Sequence, residues 1–228
     1  MVGFLRNLML LLTSLVLWSP KALTADDACL RMGVILQLET LELVTGAAKR
    51  IFDRADLCLE LVEIPVRRAE QMILHGDLDG EMLRTGLWVQ QHADDIVALP
   101  TPFFIDQMYA LSLKSQQLDI QTLADLKPYR VAILGGHRWA EQRIAELGID
   151  PVKTTSAVRY MELLRVGRVD AGLLEKSLLN LIPDRTDIAL HPLEPLPYYT
   201  VLRREHKSLV PRLDAALRWV QENPLPKN

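Results

Sequence analysis

Cysteine is scarce in this chain: there are only two in 228 residues, Cys29 and Cys58. The five histidines are scattered and show no zinc-ligand spacing, so no metal site is expected. An excess of positive charge is also missing. The chain has 26 Lys and Arg against 29 Asp and Glu, a formal charge of −3, with both signs interspersed. That pattern does not suit a protein held to nucleic acid by phosphate contacts. No Gly/Ser-rich or low-complexity tract occurs, so no flexible linker divides the chain. The one proline-rich stretch, Pro192 to Pro197, reads as a stiff connection between units. No nucleophile–base pair stands out, and no cofactor is expected.

Long apolar runs are missing everywhere but the N-terminus. There, Arg6 carries a charge, Leu8 to Trp18 is almost wholly apolar, and Ser19-Pro20 breaks the run. Small residues follow at Ala22, Thr24 and Ala25. This is the order of a secretory signal peptide, with cleavage expected near Ala25. The run is about half the roughly 20 residues that a membrane-spanning helix needs, which argues against an uncleaved anchor. Acidic Asp26-Asp27 ahead of Cys29 do not suit a lipoprotein signal. Roughly 200 residues then remain, enough for one large domain or two small ones. Loss of Arg6 and Lys21 takes the formal charge to about −5. Export implies a soluble protein of the periplasm, an oxidising compartment. Two cysteines allow one pairing, Cys29 to Cys58, with two buried free thiols as the alternative.

The mature chain alternates short apolar strands with amphipathic helices. Cys29 to Ile35 reads as a first strand, and Leu41 to Ala55 has its apolar residues at helical spacing. Leu57 to Ile64 is a second strand, Arg67 to Leu74 a short helix, and Leu78 to Leu83 a third strand. This order implies a parallel sheet with right-handed crossovers. It also places Cys29 beside Cys58 on adjacent strands, within disulfide range, and Arg31 beside Glu60. The grammar then restarts. Gln107 to Leu113 is apolar and extended, Tyr129 to Leu134 is a strand, and His137 to Leu147 a helix. Pro151 to Thr154 is a short strand, and Ser156 caps a helix to Val166. Asp170 to Leu174 is a strand, Ser177 caps a short helix, Tyr199 to Arg203 is a strand, and Leu209 to Glu222 is the last helix.

An ordered series of motifs carries a family resemblance. Its members are Pro65-x-x-Arg68-Ala69, Gly76-Asp77-Leu78-Asp79-Gly80, Leu99-Pro100-Thr101-Pro102-Phe103-Phe104, Tyr129 to Gly136, Leu164-x-x-Gly167-Arg168-Val169-Asp170-Ala171, and Tyr199 to Arg204. In order and spacing the chain resembles the bacterial extracellular solute-binding proteins of family 3, in the type 2 periplasmic binding protein superfamily. The resemblance implies an α/β fold of two lobes, each a mostly parallel sheet flanked by helices, joined by two hinge strands. Lobe one would hold residues 26–106 and 200–228, and lobe two residues 107–199. The implied function is capture of a small polar or charged solute in the cleft between lobes, as a monomer, for a membrane permease or sensor.

Ligands of parallel α/β sheets sit beyond the carboxyl ends of the strands. In lobe one that rule selects Gln37, Glu39, Arg68, Arg84 and Thr85. In lobe two it selects Gly135, Gly136, His137, Arg138 and Glu175. The glycines let a ligand approach the backbone, and amides at the start of the next helix attract anions. The resemblance implies that Glu175 holds an amino group. Phe103, at the lobe crossing, and Tyr198 are stacking candidates, a packed hinge being the other reading. Two departures weaken an amino-acid assignment: Val89 to Asp95 lacks the arginine that usually clamps an α-carboxylate, and no aromatic cluster occupies residues 37–40. Two other functions stay open: a module that has lost its ligand and binds a membrane partner, and a dehydratase or lyase using Glu175 or His137 as acid or base.

Overall fold

A computed structural model describes residues 29–35 and 41–224 of the chain. The signal segment and two candidates, Gln37 and Glu39, lie outside the described residues. The first half runs β1 (Leu30–Ile35), α1 (Leu41–Arg54), β2 (Leu59–Ile64), α2 (Val66–His75), β3 (Gly80–Thr85), α3 (Gly86–Gln91) and β4 (Ile96–Ala98). Then come β5 (Phe104–Leu113), β6 (Val131–Leu134), α4 (Arg138–Glu146), β7 (Val152–Thr154), α5 (Ala157–Arg165) and β8 (Ala171–Glu175). The chain returns through β9 (Ile188–Arg203) and ends on α6 (Val210–Glu222). Short 3₁₀ turns fill several connections. Among the described residues no helix is long and apolar enough to cross a membrane.

Among the described residues, nine strands order as β2-β1-β3-β9-β5-β8-β6-β7, with β4 on β9. The βαβ units β1-α1-β2 and β6-α4-β7 pair in parallel, as do β1 with β3 and β6 with β8. The register sets Arg31 opposite Glu60, with the side chains 3.4 Å apart. Two positions earlier, Cys29 and Cys58 form a disulfide across a Cα separation of 4.3 Å. β5 and β9 run antiparallel to their neighbours and tie the halves together.

Strand periodicity splits the core. Val131 and Ile133 point to one face of the second half, packing with Trp139 and Ile144 of α4. Ala132 points to the other face, with Tyr160, Met161 and Leu164 of α5. In the first half, Met32, Val34 and Met82 meet Phe52 of α1 and Leu213 and Leu217 of α6. The opposite face packs Ile73 of α2 and Trp88 of α3. Gly172 of β8 is required by this packing, because a Cβ there would lie 2.1 Å from the buried Tyr160 ring.

Two sequence expectations are corrected. The proline-rich stretch does join the units, but as paired strand rather than as a loop: Pro192, Pro195 and Pro197 of β9 pair with Tyr109, Gln107 and Ile105 of β5. Proline is tolerated because residues 188–197 of β9 pair on one side only, so a missing N–H can face outward. Ser177 does not cap a helix; it lies inside a 3₁₀ turn, Lys176–Leu181, with Glu175 at the cap position.

Candidate functional site

A cavity of about 110 Å³ opens where the carboxyl ends of β3 and β6 face each other. Leu83, Arg84, Thr85 and Trp88 line one wall. Gly136, His137, Arg138 and Trp139 line the other, and Tyr198 of β9 completes it. Six residues selected from the sequence therefore meet in one place: Arg84, Thr85, Gly136, His137, Arg138 and Tyr198.

On the first wall, Arg84 does not emerge past its strand as expected. It sits within β3, 4 % exposed, and its Nε donates to Glu81 Oε2. The register shift between Glu81 and Arg84 brings both onto one face, which regular strand spacing forbids. The guanidinium lies 4.3 Å over the Trp88 ring, which stacks on His92 at 4.2 Å. Burial lifts the Glu81 carboxyl to about 7; Arg84 pulls it down and Glu70 adds to the rise. Thr85 caps α3, its hydroxyl accepting from Trp88 N–H at 3.4 Å.

The second wall starts at Gly136, whose φ of 91° suits glycine. Its N–H is not free, as expected, but donates to Glu141 Oε1 at 3.1 Å. His137 then caps α4: Nδ1 accepts from Ala140 N–H at 3.1 Å. That contact fixes the proton on Nε2, which donates to Glu175 Oε1. Tyr198 donates to the same oxygen at 2.7 Å. Glu175 is 4 % exposed and is absent from the cavity lining. Burial works against its charge, but the His137 bond and charge and the Tyr198 hydroxyl outweigh it and hold the carboxyl below its usual range. Burial likewise disfavours the imidazolium, and Glu175 outweighs it, raising the His137 pKa. Behind the pair, burial raises the Asp106 carboxyl, and the Glu175 charge adds to that rise. The amides of Gln107 and Ser177 hold its two oxygens at 2.7 and 3.3 Å.

Two contacts cross between the walls outside the cavity. Arg138 Nη2 approaches Glu70 Oε1 of α2 at 3.7 Å, and Gln91 of α3 hydrogen-bonds Gln142 of α4.

The other candidates stand elsewhere. Gly135 N–H donates to Thr154 O at 2.9 Å within the sheet. Arg68 is exposed on α2 and is absent from the lining. Phe103 packs on the first core, edge-on to Phe104, which stacks on Tyr198 at 4.9 Å. Sequence reasoning missed Trp88, Trp139, Glu81 and Asp106. The signal for Glu81 was a carboxylate inside an apolar strand, which must find a partner. Away from the cleft, Asp79, Glu205 and His206 bring ligand atoms within 4.8 Å, but Arg203 already pairs with Glu205 at 2.8 Å.

No protein-family profile matches the chain, and no curated protein matches its sequence. Solved structures do. The GluR0 ligand-binding core in complex with L-glutamate superposes with a TM-score of 0.68 at 16 % identity, over 86 % of this chain and 93 % of that one. The amino acid ABC transporter substrate-binding protein AbpA from Streptococcus pneumoniae, bound to L-arginine, gives 0.65 at 16 %, covering 85 % and 89 %. Holo ArgBP from T. maritima gives 0.64 at 19 %, covering 84 % and 90 %. These neighbours are binding proteins. Together with the strand order and the cleft, they establish that the chain has the two-lobed α/β fold of the type 2 periplasmic binding proteins.

Proposed function

We propose that this protein captures a small polar or charged solute between its lobes and presents it to a membrane transporter or sensor. The observation that supports this reading is the cavity, where strand ends and helix starts from both halves converge with polar side chains. Solved structures of the same fold include substrate-binding proteins of ABC transporters. Residues 26–106 with 200–228 form one lobe and 107–199 the other, and bending of β5 and β9 closes the cleft. Arg84, Thr85, Gly136, His137, Arg138 and Tyr198 contact the solute. The protein acts as a monomer in the periplasm after loss of residues 1–25. It is not an enzyme: His137 and Glu175 are committed to each other and to a helix cap, which weighs against acid–base work.

A second reading is a module that has lost its solute and binds only a membrane partner. It is favoured by one observation, the internal pairing of both Arg84 and Glu175. A thermal-shift screen over amino acids, organic acids, amines and small oligosaccharides separates the two. A solute at about 100 times its Kd stabilises the native state by about 2.7 kcal/mol. For a chain of this size that raises Tm by roughly 5–11 °C. Silence across all four classes overturns the receptor reading in favour of the second.

A further inference from the structure

We infer that the cleft continues past Trp88 into a second subsite between α2, α3 and α4, and that this subsite takes an uncharged part of the solute that both donates and accepts hydrogen bonds, a hydroxyl or a carboxamide. The inference rests on the receptor reading above and adds to it the chemistry of one end of the solute.

A pocket of about 360 Å³ adjoins the cavity and shares Trp88 and Arg138 with it. Glu70 of α2, Gln91 and His92 at the end of α3, and Glu141 and Gln142 of α4 complete its lining. The inner cavity, at about 110 Å³, is smaller than the roughly 300–1,000 Å³ of most small-molecule sites, and the adjoining pocket brings the space into that range.

The charged groups of this lining are already matched. Glu141 Oε1 takes Lys153 Nζ at 3.2 Å and the Gly136 amide at 3.1 Å, and Arg138 Nη2 lies 3.7 Å from Glu70 Oε1. Gln91 donates to Gln142, which donates to Glu146 at 2.8 Å. Two buried atoms of the lining are left over. Glu70 Oε2 is an acceptor and the Trp88 indole N–H a donor, and neither has a hydrogen-bond partner among the described residues. Trp88 is 3 % exposed, and its ring is engaged by Arg84 at 4.3 Å and His92 at 4.2 Å. Buried polar atoms without partners are costly, and a bound group that satisfies them recovers that cost. Glu81 Oε1 is also without a partner, but Glu81 lines neither space.

The leftover pair selects the chemistry. An ammonium group donates to Glu70 but cannot accept from Trp88. A carboxylate accepts from Trp88 but meets the charge of Glu70. A zwitterion such as glycine competes with the Arg138–Glu70 and Lys153–Glu141 pairs. A hydroxyl or an amide serves both leftover atoms and disturbs neither pair.

Titration of the purified protein with glycerol, D-ribose and lactamide, against acetate, methylammonium and glycine, tests this by NMR of the indole N–H signals. Trp88→Phe assigns the Trp88 signal by removing it. At least one neutral probe is expected to bind and to move that signal, and the two polyols against lactamide tell hydroxyl from amide. Glu70→Gln alters a side chain at the edge of the pocket. It should weaken neutral-probe binding roughly tenfold or more, with the circular dichroism spectrum of the parent. If neutral probes bind without moving the Trp88 signal, or if only the charged probes or glycine bind, this inference is wrong while the receptor reading survives. Silence from all six probes leaves the two atoms to water and rejects the subsite. The receptor reading is then decided by the thermal-shift screen alone.

Discussion

The Glu81–Arg84 pair gives the sharpest test of how the first wall is built. Glu81 is 1 % exposed, and its carboxyl stands at about 7 against 4.5 in a free chain, chiefly because burial disfavours its charge. The folded protein therefore keeps a proton over a pH range in which the unfolded chain has lost it. Stability from this group is fully present below about pH 4.5 and is lost as pH rises through about 7. A rise from 4.5 to about 7, at about 1.4 kcal/mol per pH unit, is worth about 3–4 kcal/mol. Glu81→Gln mimics the protonated carboxyl at every pH. Parent and variant should thus melt together near pH 5. By pH 8 the variant should be about 3 kcal/mol more stable, or roughly 6–12 °C higher in Tm. Thermal unfolding followed by circular dichroism from pH 5 to 8 reads this directly. His137 and Glu175 titrate in both proteins and cancel in the difference. A difference that stays flat with pH, or widens towards acid, refutes the account of a burial-dominated carboxyl.

Two further outcomes follow from the packing. Replacing Cys29 and Cys58 together by serine opens a cross-link spanning 29 residues and should lower stability by about 3–4 kcal/mol. Reductant should lower the parent's melting point to that of the variant, and a parent indifferent to reductant would contradict it. Gly172→Ala drives a methyl into the Tyr160 ring and should cost about 1–3 kcal/mol in urea denaturation. A loss below about 0.5 kcal/mol would mean that Tyr160 moves freely.

Much of the layout was legible because it rests on local chemistry. Placing Cys29 opposite Cys58 fixed the first strand pair, and the observed register sets Arg31 opposite Glu60 as that placement required. The carboxyl-end rule found five of the cavity residues, Arg84, Thr85, Gly136, His137 and Arg138, because it depends on strand direction alone. What it could not give was their partners. Glu81 reaches Arg84 only through a slip in strand register, and Glu175 meets His137 from 38 residues away. Neither is encoded in a short pattern. Arg84 and Glu175 were therefore expected to face a solute without partners; Arg84 lines the cavity but is also paired with Glu81, and Glu175 lies behind the lining, bonded to His137. The prolines of β9 misled for a similar reason. Proline reads as a break unless the strand is known to be paired on one side only.

The docking of α6 on α1 has a bearing on synthesis. Leu213, Leu217 and Val220 fill the same cluster as Met32 and Phe52, so the earliest segment of the chain cannot complete its interior until the last helix has been made. The interior built around Trp139 and Tyr160 draws its buried residues from between Met108 and Leu196, with Leu87 and Tyr198 at its edge, and needs nothing from α6. A nascent chain halted before residue 210 would carry a finished second half beside an exposed, greasy first one. That leaves a long interval in which a holding chaperone has something to grip.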